Sequence, residues 1–139
     1  MRKLVIGILP VVALFLLIIP AAGAPVGTSD LQVKAIAEPI LDSLMTGFNQ
    51  GNYAQFSKNF DKKLRETIHE KKFEQLRRDL LKKLGKYKSK KYMGFLNQDY
   101  FTIVLWKGAF ADTKSDVLIK LVLSKSKDKV TVAMRWGTL

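Results

Sequence analysis

Apolar residues recur at three- and four-residue steps through the middle of the chain, which is the spacing of amphipathic helices. Three helices follow from this pattern, over residues 29–51, 52–68 and 67–85. Pro39 interrupts the first apolar stripe, so we expect a kink there or a helix start near Glu38. The middle of the chain is therefore predicted to be helical.

After Gly85 the apolar period changes to two, which is typical of strands. Four strands are predicted, over residues 86–97, 100–111, 117–123 and 129–136. The second strand is apolar on both faces, so a central position in the sheet is expected. Three N-terminal helices packed on a curved antiparallel four-stranded sheet make an α+β fold, and a cavity between the two layers is a natural ligand site.

The N-terminus has the three parts of a secretory signal peptide. Two basic residues precede the uncharged run Leu4–Ile19, and small residues follow it. We expect residues 1–24 to be this signal, cleaved before or after Ala24, or else to be retained as a membrane anchor. Residues 25–29 are interpreted as a linker and residues 30–139 as one domain. The domain is expected to be exported to the periplasm, the cell surface or the medium.

The composition excludes several kinds of catalytic and metal-binding site in this domain. The chain has 139 residues, a formal net charge of +12, one His and no Cys. The length suits one small domain, and the lack of Cys excludes a disulfide scaffold, a thiol nucleophile and a cysteine zinc site. A single His excludes a multi-histidine metal cluster, and the chain has no phosphate-binding glycine motif. No metal and no cofactor are therefore expected.

Positive charge is concentrated between residues 62 and 91, which hold 13 basic and four acidic residues. The third predicted helix carries a basic face made of Lys71, Lys72, Arg77, Arg78, Lys82 and Lys83. Such a face is suited to binding an anionic membrane surface or an envelope polymer. The alternative is that it is only the solvated surface of the helix. Nucleic acid is not an expected partner, because export places the domain away from it.

The pattern of the helical half resembles a known family. The residues that carry the resemblance are the stretch Leu41–Phe56 with its Gly51-Asn52-Tyr53 turn, the pair Phe60-Asp61, Leu64, and the stretch Leu84–Tyr87. They look like the small exported domains of unknown function in the nuclear transport factor two-like superfamily. This resemblance implies a cone-shaped α+β fold with an internal pocket, in a superfamily that includes isomerases, dehydratases and binding modules.

Few residues are candidates for catalysis. Asp61 is a weak candidate for a pocket carboxylate, with a surface ion pair as the alternative. His69 is expected to be an exposed residue at a helix end. The candidate ligand pocket is formed by aromatic residues, with plain core as the alternative: Phe56, Phe60, Tyr92, Tyr100, Trp106 and Trp136.

Three functional hypotheses follow from these features. The first, which we favour over an enzyme, is an exported binding or accessory module with an apolar, aromatic-lined pocket. The second is a small lyase- or isomerase-like enzyme that uses a pocket carboxylate or Tyr. The third is an adaptor whose basic face docks on anionic lipid or envelope polymer. Candidate partners are a small apolar ligand, such an anionic surface, and a second copy of the chain joined through the sheet.

Overall fold

The computed structural model describes residues 23–133. Within this range, four helices precede a four-stranded antiparallel sheet, whose strands lie side by side in chain order. The elements are α1 Asp30–Gln50, α2 Tyr53–Phe56, α3 Lys62–Thr67, α4 Glu70–Leu84, β1 Tyr87–Gln98, β2 Phe101–Phe110, β3 Val117–Ser126 and β4 Lys129–Val132. The α+β class, with the helices before the sheet, is confirmed.

Some predictions fall outside the described residues. These are most of the predicted export signal, the last residues of the predicted fourth strand, and Trp136. Within residues 23–133, no helix is long and apolar enough to cross a lipid bilayer.

Helix α1 runs without interruption through Pro39. It begins directly after Ser29, whose hydroxyl accepts a hydrogen bond from the backbone N–H of Gln32, and it ends at Gly51 in a left-handed conformation. The start predicted near Glu38 is therefore wrong. The N-terminal part of the helix buries Val33 completely, so its packing outweighs the one backbone hydrogen bond that Pro39 cannot donate.

The second predicted helix is two short helices. Residues 57–61 separate α2 from α3, because Asp61 begins a new helix by accepting a hydrogen bond from the backbone N–H of Leu64 at 2.7 Å. Phe60 forms an isolated parallel bridge with Val132 instead of continuing the helix. The four-residue spacing of Phe56, Phe60 and Leu64 therefore reflects packing into one core rather than one continuous helix.

Strand β2 lies at the centre of the sheet, as predicted. It pairs along its length with β1 and β3, and a register shift in the β1–β2 pairing falls between Tyr92 and Gly94. One face of the sheet packs against α1 and buries Val104 and Trp106 completely. On the other face, Ile103 packs in a smaller apolar cluster.

The segment interpreted as a linker is in contact with the sheet. Ala24 exchanges backbone hydrogen bonds of 2.7 and 2.8 Å with Lys125. Val26 is buried in the main core, and its backbone N–H donates to the hydroxyl of Thr102 at 2.9 Å. The polypeptide is therefore bound to the fold from Ala24 onwards, ahead of α1.

Candidate functional site

An apolar groove of about 310 Å³ lies between α1, α4 and the β2–β3 part of the sheet. Among residues 23–133, ten residues line it, and all of them have aliphatic, aromatic or thioether side chains: Leu44, Met45, Phe48, Phe56, Leu80, Leu84, Phe110, Val117, Leu118 and Ile119. A concave surface of this composition is suited to an apolar ligand.

The helical walls of the groove follow from helix periodicity. Leu44 and Phe48 lie one turn apart on α1, and Leu80 and Leu84 lie one turn apart on α4, so each helix presents a continuous apolar wall. Leu80 and Leu118 remain 40% and 57% exposed, and both line the groove. The groove is therefore open to solvent at Leu80, whereas Leu118 pairs with Lys107 and lies at the edge of the groove, on the sheet face opposite Ile119.

An aromatic cluster holds one side of the groove. The ring of Phe56 lies 4.5 Å from that of Phe73 and 5.3 Å from that of Phe60, measured between ring centroids. Tyr53 contacts Phe73 at 5.7 Å, and its hydroxyl donates to the carbonyl oxygen of Ile68 at 2.7 Å. These contacts fix the position of Phe56, which is the only member of the cluster that lines the groove.

A polar network joins α1 to β1 away from the groove. The hydroxyl of Tyr92 donates to the Asp30 carboxylate at 2.7 Å, and the ammonium of Lys90 forms a short ion pair with Asp42. Burial, followed by the hydrogen bond to Asp30, raises the pKa of Tyr92 above its usual value. Burial alone lowers the pKa of Lys90, but its interactions with Asp42 outweigh this and the pKa is raised.

Comparison with known proteins identifies the family. Residues 42–128 match the model of a family described as a protein of unknown function (DUF3887), and this match covers more than half of the chain. The chain belongs to this family. A search of curated proteins finds no match.

The fold of this DUF3887 domain is also found among solved structures. A crystal structure from Campylobacter jejuni, described as an NTF2-like transpeptidase, has a TM-score of 0.55 and 13% sequence identity. The match covers 72% of this chain and 99% of the other. At this identity the similarity shows the fold alone, which is NTF2-like, as the resemblance of the sequence implied.

The aromatic residues predicted to form a pocket lie in different places in the DUF3887 domain. Phe56 lines the groove, and Phe60 packs against it in the core. Trp106 is fully buried in the core with its ring edge-on to Tyr92. Tyr100 is exposed in the β1–β2 turn. The structure does not bring these five side chains together in one pocket: Phe56 contacts Phe60, Tyr92 contacts Trp106, and Tyr100 is exposed.

Most of the groove residues were not predicted, because they belong to apolar stripes that are equally typical of a protein core. The signal that could have identified them is the run Val117-Leu118-Ile119 at the start of β3. A strand with one buried face shows alternating polarity. Three consecutive apolar residues therefore indicate that both faces of β3 meet an apolar environment at this point.

The residues considered for catalysis have structural roles. The Asp61 carboxylate caps α3, and its backbone N–H donates to the carbonyl oxygen of Val132 at 2.9 Å. His69 is exposed and caps α4 through a bond from the backbone N–H of Lys72. Neither side chain lines the groove. Among residues 23–133, no group of acidic or His side chains is arranged to hold a metal ion.

The predicted basic face needs one correction. The exposed members on α4 are Lys71, Lys72, Arg78, Lys82 and Lys83. Arg77 is half-buried instead, and its guanidinium donates to the carbonyl oxygens of Phe48 at 2.6 Å and Asn49 at 3.0 Å. It satisfies carbonyl groups at the C-terminus of α1, so it joins two helices and is not part of the solvated face.

Proposed function

We propose that this DUF3887 domain is a binding module that takes a small apolar ligand, or the apolar part of a larger one, in the groove. The observation that supports this is the groove's lining, which is apolar at every position among the described residues. Its volume of about 310 Å³ falls at the small end of ligand pockets.

The physical basis of binding is the apolar surface that the fold leaves uncovered. Leu80 and Leu118 are large apolar side chains with 40% and 57% of their surface in water. Each 100 Å² of apolar surface removed from water contributes about 2.5 kcal/mol to binding. A ligand in the groove that covers Leu80 therefore gains affinity without a hydrogen bond or an ion pair.

The enzyme alternative gains no support from the groove. A catalytic pocket needs a titratable or nucleophilic side chain in contact with the reacting atoms. No Asp, Glu, His, Tyr, Lys or Ser is among the described residues that line this groove. The term transpeptidase belongs to the description of the Campylobacter jejuni protein, and we do not extend that activity to this chain.

The proposed binding is tested with a neutral fluorescent probe, N-phenyl-1-naphthylamine, and the purified protein. Leu80→Trp places a larger ring at the open side of the groove, where the exposed position keeps the fold intact. We expect probe affinity to fall by about tenfold, which corresponds to about 1.4 kcal/mol.

The control for this experiment is Leu31→Trp, at a side chain that is 81% exposed on α1 and does not line the groove. It should leave the affinity unchanged. Equal affinity in the wild type and Leu80→Trp, or an equal loss in Leu31→Trp, would show that the probe binds elsewhere on the surface.

We also propose that the module works outside the cytoplasmic membrane. The support is the sequence of residues 1–24, with its basic start, the apolar run Leu4–Ile19 and the small residues after it. A fusion of alkaline phosphatase to the C-terminus should be active, because that enzyme matures only outside the cytoplasm. An inactive fusion at normal expression would contradict export.

A further inference from the structure

The groove reaches solvent on α4 at Leu80. This side chain is 40% exposed, whereas Leu84, one turn further along the same wall, is partly buried. Leu80 therefore marks the place where the apolar lining ends and water begins. A ligand that fills the groove meets solvent beside this residue, so the groups around it determine which chemical group the ligand can carry at that end.

Lys83 lies next to Leu80 on the solvent side of α4. Seen from Leu80, Leu81 lies about 100° around the helix in one direction and Lys83 about 60° in the other. Leu81 packs against the main core, whereas Lys83 is exposed. Residues three positions apart on a helix have Cβ atoms about 5–6 Å apart. The Lys83 side chain therefore begins at the opening of the groove, beside a residue of its lining.

The charge of Lys83 is available to a ligand. The acidic residue of α4 closest to it is Asp79, one turn earlier, and no ion pair found among residues 23–133 involves either of them. Asp79 also points further from Leu80, by about 100° around the helix. Residues 77–86 hold five basic residues and this one acid. The helical wall at the opening is therefore positively charged, which favours an anion.

The other walls of the groove carry little opposing charge. Residues 43–56, which include the parts of α1 and α2 that line it, contain no charged residue. In the β2–β3 loop, the Asp116 carboxylate lies 3.6 Å from the ammonium of Lys107. The Asp112 carboxylate packs so closely on Gly85, beyond the end of α4, that a Cβ atom there would not fit. The basic residues of α4 therefore dominate the charge at the opening.

The volume of the groove limits the size of its occupant. A methylene group takes up about as much space as a water molecule in the liquid, about 30 Å³. The groove, at about 310 Å³, therefore holds an alkyl chain of about ten carbon atoms. One such chain fits, and the two long chains of a membrane phospholipid do not.

We propose that the ligand is a single-chain amphiphile with an anionic head, a free fatty acid of about ten carbon atoms, and that Lys83 binds its carboxylate at the opening. The apolar lining offers no partner to a charged head, and burial of an unpaired charge is costly, so the head stays at the opening. This inference rests on the proposed function of the groove and adds the charge of the ligand to it.

The test displaces N-phenyl-1-naphthylamine from the purified protein with three ligands of equal chain length: decanoate, decanol and decyltrimethylammonium. The titrations are made at pH 8, where the carboxylate is ionised, and below the concentrations at which micelles form. Decanoate should bind the wild type at least about threefold more tightly than decyltrimethylammonium, because the two heads carry opposite charges beside Lys83.

Lys83→Glu should lower the affinity for decanoate by about fivefold or more, raise the affinity for decyltrimethylammonium, and change that for decanol by less than about twofold. The control is Lys82→Glu, which changes the net charge equally at an exposed position about 160° around the helix from Leu80. It should change all three affinities by less than about twofold. Circular dichroism checks that both variants fold.

Two results would overturn the role of Lys83. One is decanoate binding to the wild type no more tightly than decyltrimethylammonium, and the other is an equal loss of decanoate affinity in both variants. If decanol still displaces the probe in these cases, the groove binds apolar ligands as proposed and only the anionic head is wrong. If none of the three ligands displaces the probe, the proposed function fails together with this inference.

Discussion

At the scale of single residues, Gly47 shows how closely two backbones approach each other. A Cβ atom at this position would lie 2.8 Å from the carbonyl oxygen of Asn52 and would also meet the backbone of Phe56. Neither neighbour is the end of a flexible side chain. The approach of α1 to α2, which positions Phe56 at the groove, therefore requires glycine.

Gly47→Ala should lower the free energy of unfolding by about 1–3 kcal/mol, because the added methyl group forces backbone atoms apart. Urea denaturation followed by circular dichroism measures this change. Thr46→Ala, at the exposed neighbouring position on the same helix, is the control and should stay within about 0.5 kcal/mol of the wild type. If the two variants are equally stable, the close contact at Gly47 is not present.

The Tyr92 hydroxyl makes a pH-dependent contribution to the free energy of unfolding. Burial and the hydrogen bond to Asp30 raise its pKa in the folded state above the ordinary value of 10.0. Because folding raises the pKa of Tyr92, its hydroxyl stabilises the folded state fully below pH 10.0. This stabilisation is lost as the pH rises through the pKa of the folded state. The protonated hydroxyl is therefore the form that joins β1 to α1.

Wild type should be more stable than Tyr92→Phe at pH 8, and the difference in the free energy of unfolding should shrink above pH 10. Urea denaturation at a series of pH values measures the difference between the two proteins. A difference that stays constant up to pH 11.5 would contradict the assigned role of this hydroxyl.

At the scale of elements, the guanidinium of Arg77 joins α4 to the end of α1. Arg77→Ala removes the bonds to the carbonyl oxygens of Phe48 and Asn49 and should cost about 1.5–3 kcal/mol of stability. The adjacent Arg78→Ala removes the same charge from an exposed position and should change stability by less than about 0.5 kcal/mol. Thermal or urea denaturation compares the two, and similar losses would show that only net charge matters.

The elements that the sequence predicts best are those whose periodicity and burial agree. The central position of β2 follows from its two apolar faces, and the end of α1 at Gly51 follows from glycine's tolerance of a positive φ. The break between α2 and α3 could not be predicted from spacing, because it depends on the pairing of Phe60 with Val132, a contact between distant parts of the chain.

The groove was less predictable than the fold for a similar reason. Phe73, Leu80 and Leu84 belong to one apolar stripe of α4, yet Phe73 is buried while Leu80 is exposed at the groove. Periodicity identifies the apolar face of a helix, but it does not show where the sheet that covers this face ends. That depends on the start of β3 relative to α4, which is a property of the tertiary structure.

At the scale of the whole molecule, the N-terminal segment and the groove meet the sheet at opposite ends of β3. Ala24 pairs with Lys125 near the end of this strand, and Val26 bonds to Thr102 of the neighbouring β2. The groove is lined by residues at the start of β3, among them Val117 and Ile119. The polypeptide that precedes α1 therefore leaves the groove uncovered.

The central claim, that the groove binds an apolar ligand, is tested most directly by methyl NMR of the purified protein titrated with N-phenyl-1-naphthylamine. We expect saturable shifts at the methyl groups of Met45, Leu84 and Val117, which line the groove. Ile103 and Val122, on the opposite face of the sheet, should not shift. Shifts confined to Ile103 and Val122, or no saturable shifts at the groove, would contradict the claim.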